Sequence, residues 1–444
     1  MTYIEFFDEV ALNNVHTILS YVPDRVIIIG YHKGLMEKHK EHYQKVLKAR
    51  DYDVEFIPRK VRKNNLKSAV DVISDIVENN ADCVFDVTGG DELLLLALGM
   101  VWARTDKPIQ IQKFNLVHNK VYDCDEDGEV VYRDAPMLSV EENVQIYGGG
   151  VVTDPANGQY TYPWDLTDEF LQDIEDMWAI CSRDVKQWNR QINVFAEMNK
   201  PHEKEEGLLT LSMPLPDLEK TLKKVNDEDE RKRKNRDEDA PQNRIIRDQS
   251  IITDLLEKGL LTCFVQYGND LVVSFKNEQV KKCLTKEGQA LEMKVYVTAK
   301  FLQDENGDPV YNDVMNGVFI DWDGECHDER TEGKYDVENE IDVMMMHGVI
   351  PIFVSCKNGK VPQEEVYKLN TVAAQFGGPY AKKVLIAPAL GQRMRERERK
   401  NIRYLDSEDM SHNYLRQRAQ DMQILLIEDV DDSLPQLLAE IWSK

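Results

Sequence analysis

Over its first 115 residues the chain alternates short apolar, β-branched runs with segments long enough to form helices, and few folds tolerate that pattern. Tyr3–Phe7, Arg25–Gly30 (RVIIIG), Val54–Pro58, Cys83–Val87 and Ile109–Asn115 read as strands. Between them, a segment capped at Asn13-Asn14 and ending near Val22-Pro23, then Leu35–Ala49, Asn65–Asn80 and Asp91–Ala103, read as helices. Consecutive parallel strands need a long crossover, so strands joined by helices of this length predict a Rossmann-like, doubly wound α/β sheet. Leu116–Val152 then reads as a β-rich extension with turns at Asp125–Gly128 and Gly148–Gly150.

The middle of the chain changes character. Thr161–Asn199 is helical in pattern and carries Trp164, Trp178 and Trp188, which would pack a connecting helix or a dimer contact. Pro214 and Pro216 break the pattern, and the mixed-charge run Asn226–Arg244 reads as a linker or exposed loop. Ile251–Gly259, Leu260–Val265 and Leu271–Phe275 give helix, strand, turn, strand, with Gly268-Asn269-Asp270 at the tip. That order fits a small winged-helix-like element, here read as an adaptor joining two halves. From Thr285 a helix, strands, helix, strand, helix order resumes. The expected division is therefore a doubly wound domain over 1–155, a helical connector and linker over 156–245, an adaptor over 246–284, and a second α/β domain over 285–444.

The later half carries the chemistry. Asn339-Glu340-Ile341-Asp342-Val343 and Ile350–Lys357 read as adjacent strands, the second ending at Asn358-Gly359. Alternate strand residues share a face, so Glu340 and Asp342 should point one way and Ile341 and Val343 the other. Two carboxylates on one face attract a hard cation such as Mg²⁺ or Mn²⁺. Lys357 beside them can neutralise an attacked phosphate or steer a water. Lys286–Phe301 reads as a helix beginning near Gly288, and Glu292 on its inner side would complete the metal site. Val314–Trp322 is expected to form a hairpin with Glu340–Met346, and Pro362–Phe376 to form a helix bearing Glu364, Glu365 and Lys368. Arg393, Arg395, Arg397, Arg399 and Arg403 could grip a phosphate backbone, although interleaved Glu396 and Glu398 suit a solvated face equally well. A sheet can also hold an aspartate and a lysine for structural reasons alone.

Composition narrows the functional classes. The 444 residues carry a net charge of −25, which argues against a protein that coats duplex DNA through a basic surface. Contact with nucleic acid would have to be local or bridged by a metal. Seven cysteines without a CxxC pair indicate neither a zinc ribbon nor a disulfide framework. No apolar run has the length of a membrane span and the N-terminus shows no signal-peptide pattern, so a cytoplasmic location without membrane contact is expected.

In the first half, Asp86-Val87-Thr88-Gly89-Gly90-Asp91-Glu92 joins a strand to a helix. Two glycines admit a ligand close to backbone amides, a helix N-terminus favours phosphate, and Thr88 adds a hydroxyl. The loop lacks the Walker A lysine, and no GxGxxG follows a strand.

Asp342 followed by Ser355-x-Lys357 resembles the PD-(D/E)xK nuclease superfamily, with one departure: Ser355 stands where the second acid belongs. Ser355 acting through a water, the Cys356 carbonyl, or Glu340 could stand in, and a degenerate core is the remaining alternative. Together with the Thr-Gly-Gly loop and the adaptor, the chain resembles the CRISPR-associated ancillary nucleases of type III systems, whose sensor is a CARF domain. The resemblance implies a homodimer that binds a cyclic oligoadenylate, commonly cyclic tetra-adenylate, and then cleaves single-stranded RNA, single-stranded DNA or supercoiled DNA with Mn²⁺ or Mg²⁺. It implies a restriction-endonuclease-like fold for the C-terminal domain, with Asp342, Lys357, Glu340 and Ser355 as catalytic residues. Asp342, Glu292, Glu340 and Cys356 would hold the metal. Activator contacts fall on Thr88, Gly89, Gly90 and Asp91, and more weakly on Asn13, Asn14 and His32. Two other readings stay open: an activator-independent nuclease, and a nucleotide-sensing DNA-binding regulator with an inactive core.

Overall fold

The structure is a computed structural model, described for residues 1–116, 118–124, 130–134, 136–155, 159–203, 205, 207–221, 249–325, 327, 338–402 and 405–442. The expected turn at Asp125–Gly128, the charged run Asn226–Arg244 and Arg403 lie outside the described residues.

The N-terminal alternation folds as its pattern requires. Strands β1 (Thr2–Phe6), β2 (Arg25–Gly30), β3 (Glu55–Lys60), β4 (Cys83–Asp86) and β5 (Ile109–Asn115) run parallel in the order 3-2-1-4-5. Helices α1 (Leu12–Tyr21), α2 (Lys33–Ala49), α3 (Leu66–Asn79) and α4 (Glu92–Trp102) make the crossovers. Period-2 alternation separates two cores across the sheet: Tyr3, Val26, Ile28 and Val84 face one, while Ile4, Phe6, Ile27, Ile29 and Phe85 face the other. Strands β6 (Lys120–Cys124) and β7 (Val130–Asp134) extend the sheet, β6 antiparallel to β5 and β7 antiparallel to β6.

Two local expectations are corrected. Asn13 and Asn14 lie inside the first turn of α1 and do not cap it; the N-cap is Ala11, without a side-chain bond. Leu116–Val152 is not β throughout, because Val140–Ile146 forms helix α5. Ser139 and Glu142 close a reciprocal capping box there, a start signal strong enough to nucleate a helix only seven residues long.

The chain then enters a second sheet at once: β8 (Gly150–Val151) pairs with β12, far along the sequence. Helices α6 (Asp168–Cys181) and α7 (Val185–Asn199) follow, then β9 (Thr210–Pro214), α8 (Gln249–Glu257), β10 (Leu261–Tyr267) and β11 (Asp270–Phe275). The helix, strand, turn, strand order is present, and β9 adds a third antiparallel strand on the far side of β11. Trp178 and Trp188 are buried in a core with Leu255, Val273 and Leu291, and Trp164 packs against it, so the tryptophans bind the connector to the rest of the chain.

Helices α9 (Glu278–Thr285) and α10 (Gln289–Lys300) lead into β12 (Asp313–Asp321), β13 (Glu338–His347) and β14 (Ile350–Cys356). After these come α11 (Glu364–Gly377), β15 (Lys382–Ile386), α12 (Pro388–Arg399), α13 (Ser407–Asp421), β16 (Ile424–Ile427) and α14 (Leu434–Ala439). The sheet order is 16-15-14-13-12-8, parallel over β14–β16 and antiparallel over β12–β14, and the expected β12–β13 hairpin pairing is present. The fold class is therefore α/β throughout, a doubly wound sheet joined to a mixed one.

Strict alternation fails at one informative place. Val343 and Met345 enter one core, whereas Ile341 joins Met344 and Met346 in the other. The β12–β13 register is unbroken from Asn316–Val343 to Val318–Ile341, and Gly317 between them has φ of +57°. A left-handed glycine in a strand marks a local twist that non-glycine residues resist, and Asp342 sits opposite it.

Candidate functional site

Asp342 lies where two N–H donors converge on one oxygen, with the Ser355 hydroxyl beside them. The Cys356 N–H donates to its Oδ2 at 2.7 Å and Lys357 Nζ at 2.9 Å, while the Ser355 hydroxyl lies at 3.2 Å. Neighbouring strands bring these groups together because β13 and β14 pair antiparallel, with Val343 opposite Val354. Asp342 is only 9% exposed, so Coulomb attraction to Lys357 is weakly screened. Burial works against the charge on Lys357, but Asp342 and Glu365 outweigh it and hold the amine protonated well above its usual range.

Glu292, on α10, is 4% exposed, and its Oε2 accepts no hydrogen bond. One carboxylate oxygen each from Glu292, Glu340 and Asp342 lies within 4.8 Å of the others. Burial pushes the Glu292 carboxyl up to about 8; Lys286 opposes this, and the charges of Asp342 and Glu340 add to it. Lys286 bridges the group, 2.6 Å from Glu340 Oε1 and 3.6 Å from Glu292 Oε2. Three hard oxygen donors, one buried and without a hydrogen bond, fit Mg²⁺ or Mn²⁺. Strand periodicity thus found Glu340 and Asp342, and the inward face of the helix found Glu292. Cys356 enters through its backbone N–H; its thiol is buried in the apolar core, which holds its proton on.

Two members were missed. Lys286 precedes its helix and was read only as a helix start. Glu365, in the first turn of α11, reaches back so that its Oε1 is 2.7 Å from Ser355 Oγ and 3.4 Å from Lys357 Nζ. Its signal was weak: an acid eight residues past Lys357, in a position where acids favour any helix N-terminus. Glu340, Asp342, Ser355, Glu365 and Lys368 line a shallow surface recess.

The loop in the first half closes tightly on β1. Gly90 has φ of +86°, and a Cβ there would lie 2.5 Å from Phe6 Cβ; one on Gly89 would lie 3.0 Å from the Phe6 carbonyl oxygen. Asp91 caps α4, accepting from the Leu93 and Leu94 N–H groups. Thr88 Oγ1 accepts from the Phe114 N–H at 2.6 Å. The loop sits at the carboxyl end of β4 beside β1, the switch point where open α/β sheets take ligands. His32 is exposed at the start of α2 and makes no side-chain cap.

Asn14 lies beside the Thr-Gly-Gly loop, its Nδ2 3.5 Å from where a Cβ on Gly89 would stand. Asn14 donates to the Phe6 carbonyl at 3.0 Å and accepts from the Asp8 N–H, and Asn13 donates to Asp8 Oδ2. Tyr380 donates to Asn13 Oδ1 at 2.8 Å, and Asn143 donates to the Phe376 carbonyl at 2.7 Å. These asparagines therefore fasten the first sheet to the C-terminal end of α11, whose other end carries Glu365.

The arginine-rich segment pairs internally. Arg393 bridges Asp406, Glu408 and Asp409, Arg395 pairs with Asp429, and Arg397 pairs with Asp406 and Asp409. Those ion pairs place three of the five candidate phosphate contacts against carboxylates.

A doubly wound parallel sheet fused to a mixed sheet with an acid-and-lysine strand pair defines the architectural class. Solved structures share it over the full chain. The protein VC1899 from Vibrio cholerae aligns with TM-score 0.66 and 17% identity, covering 100% of this chain and 96% of that one. Can2 from Sulfobacillus thermosulfidooxidans, in complex with cyclic tetra-adenylate, aligns with TM-score 0.63 and 16% identity, covering 100% and 97%. At this identity the likeness establishes the fold. No protein-family model and no curated protein sequence matches the chain.

Proposed function

We propose that the chain is a metal-dependent nuclease of type III CRISPR defence, switched on by a cyclic oligoadenylate, with cyclic tetra-adenylate the leading candidate. The observation that carries the catalytic half is the convergence of Asp342, Glu292 and Glu340 beside Lys357, with Glu292 Oε2 buried, without a hydrogen bond and paired only at 3.6 Å with Lys286. The whole-chain likeness to a protein that binds cyclic tetra-adenylate supports the other half. In this reading 1–155 is the sensor, apart from β8 (Gly150–Val151), which joins the nuclease sheet; 156–284 is the connector and adaptor, and 285–444 the nuclease.

A bound Mg²⁺ or Mn²⁺ would lower the pKa of a water and draw charge from the phosphate. Asp342, Glu292 and Glu340 would hold the ion, with the Asp342 oxygen oriented by the Cys356 N–H. Lys357 places a fixed positive charge beside the scissile phosphate in a weakly screened setting. Lys286 pairs with Glu340 and Glu292. A bound ion would supply local positive charge that a chain of net charge −25 otherwise lacks for contact with single-stranded RNA, single-stranded DNA or supercoiled DNA.

In the sensor, Thr88, Gly89, Gly90 and Asp91 form the activator-facing loop at the switch point. Two sensors related by a twofold axis suit a cyclic ligand, since a closed C2 dimer presents the same loop twice. The ligand can switch the enzyme only by binding the active arrangement more tightly. Helix α11 offers the route, tied at one end to Asn13 and bearing Glu365 at the other.

The test is cleavage of labelled single-stranded RNA, single-stranded DNA and supercoiled plasmid in Mn²⁺, with and without cyclic tetra-adenylate, alongside Asp342→Ala and Lys357→Ala. Activator-dependent cleavage lost in both variants supports the reading. Cleavage without activator would leave an unregulated nuclease, and no cleavage would favour a binding protein with a dead core.

A further inference from the structure

The sequence puts a hydroxyl, Ser355, at the strand position two residues before Lys357. A hydroxyl carries no charge and is a weak ligand for a hard divalent ion, so the strand pair alone supplies only Asp342 at the point where Lys357 and the Cys356 N–H converge. A carboxylate nevertheless occupies the neighbourhood. Glu365 Oε1 lies 2.7 Å from Ser355 Oγ and 3.4 Å from Lys357 Nζ, and both of those groups also reach Asp342 Oδ2. The Glu365 side chain is 16% exposed, more buried than an ordinary acid in a first helical turn needs to be. The adjoining Glu364 is exposed.

We infer that Glu365 supplies the second acid of the catalytic centre. It is delivered from helix α11 to the place that Ser355 leaves without charge, with the Ser355 hydroxyl as its positioning donor. The ligand class is a divalent cation with oxygen preference, shared with Asp342. That an ion belongs here is indicated independently by Glu292 Oε2, buried without a hydrogen-bond partner and facing the same aspartate. Lys357 then spans both acids and fixes the distance between them. The inference rests on the nuclease reading above and assigns the residue that completes its centre. It also gives α11 a second consequence: an element tied to the first sheet through Tyr380 carries a ligand at its opposite end.

The experiment titrates Mn²⁺ into the full-length chain by calorimetry and measures cleavage on the same samples, with melting curves to verify folding. The variants are Glu365→Gln, Glu365→Gln with Ser355→Asp, and Glu364→Gln as the control one residue away. The expected result is a loss of at least tenfold in Mn²⁺ affinity and of about a hundredfold in cleavage for Glu365→Gln. Partial recovery of both is expected when Ser355→Asp returns a carboxylate to the strand, with no change in Glu364→Gln. Wild-type affinity in Glu365→Gln would overturn the assignment. Loss without recovery in the double variant would make Glu365 a brace for Lys357 and overturn it equally. Wild-type protein that takes up no Mn²⁺ would overturn the metal-site reading itself, an outcome distinct from the other two.

Discussion

Two groups of carboxylates sit in this chain, and they differ in whether cationic side chains accompany them. In the first sheet, Glu5 and Asp86 are both 0% exposed and share the Thr17 hydroxyl, 2.9 Å from Glu5 Oε1 and 2.5 Å from Asp86 Oδ2. Among the described residues no lysine or arginine pairs with either. Burial therefore raises both carboxyls, Asp86 to about 6, with the hydrogen bonds from Thr17 and Thr88 pulling the other way. In the second sheet, Asp342, Glu292, Glu340 and Glu365 are threaded by Lys286 and Lys357, and all but Glu292 border a surface recess. Protons can satisfy the first group. The second is held by cations and is open to another.

The sharpest way to break this contrast is to remove the cation from the second group. Lys357→Ala should lower cleavage by about a hundred- to a thousandfold while leaving the protein folded. An equal loss from Asp86→Asn would erase the distinction. The first group should show itself in stability instead. A carboxyl whose folded pKa is raised contributes stability that is complete below its unfolded value and lost as pH rises through its folded value. Asp86 thus costs about 3 kcal/mol across pH 4 to 6. Asp86→Asn should flatten the fall of Tm over that window, with Mn²⁺ affinity untouched; a slope unchanged from wild type would contradict the burial argument.

Smaller effects sharpen the second group. Glu292→Gln should weaken Mn²⁺ by about tenfold or more while raising the Tm of the metal-free protein near pH 8, where the wild-type side chain must ionise in a buried place. A metal-free Tm below wild type would show that Lys286 already compensates the charge. Smallest of all, Tyr380→Phe removes one hydrogen bond to Asn13, worth about 1 kcal/mol. It should shift the concentration of cyclic tetra-adenylate needed for half-maximal cleavage by a few-fold without altering Mn²⁺ affinity. Movement of the metal affinity instead would detach α11 from activation.

Much of this was legible because local pattern carried it. The N-terminal alternation specified a parallel sheet, since β-branched runs separated by helix-length segments have no shorter connection. Glu340, Asp342 and Lys357 were legible from strand periodicity and Glu292 from the apolar neighbours on its helix. What local pattern hid were the places decided by tertiary approach. Ile341 and Val343, beside Asp342, enter different cores despite sharing parity. Glu365 meets Ser355 only once α11 folds back over β14, and Asn13 serves the seam with Tyr380 because α1 docks on the end of that same helix. The capping box at Ser139 and Glu142 was a local signal in plain view, obscured by the β-rich residues around it.

The most direct measurement is calorimetric titration of Mn²⁺ into wild type, Asp342→Asn and Asp86→Asn at matched pH. The account predicts saturable uptake in wild type and Asp86→Asn, abolished in Asp342→Asn. Uptake that survives in Asp342→Asn, or disappears in Asp86→Asn, would contradict it.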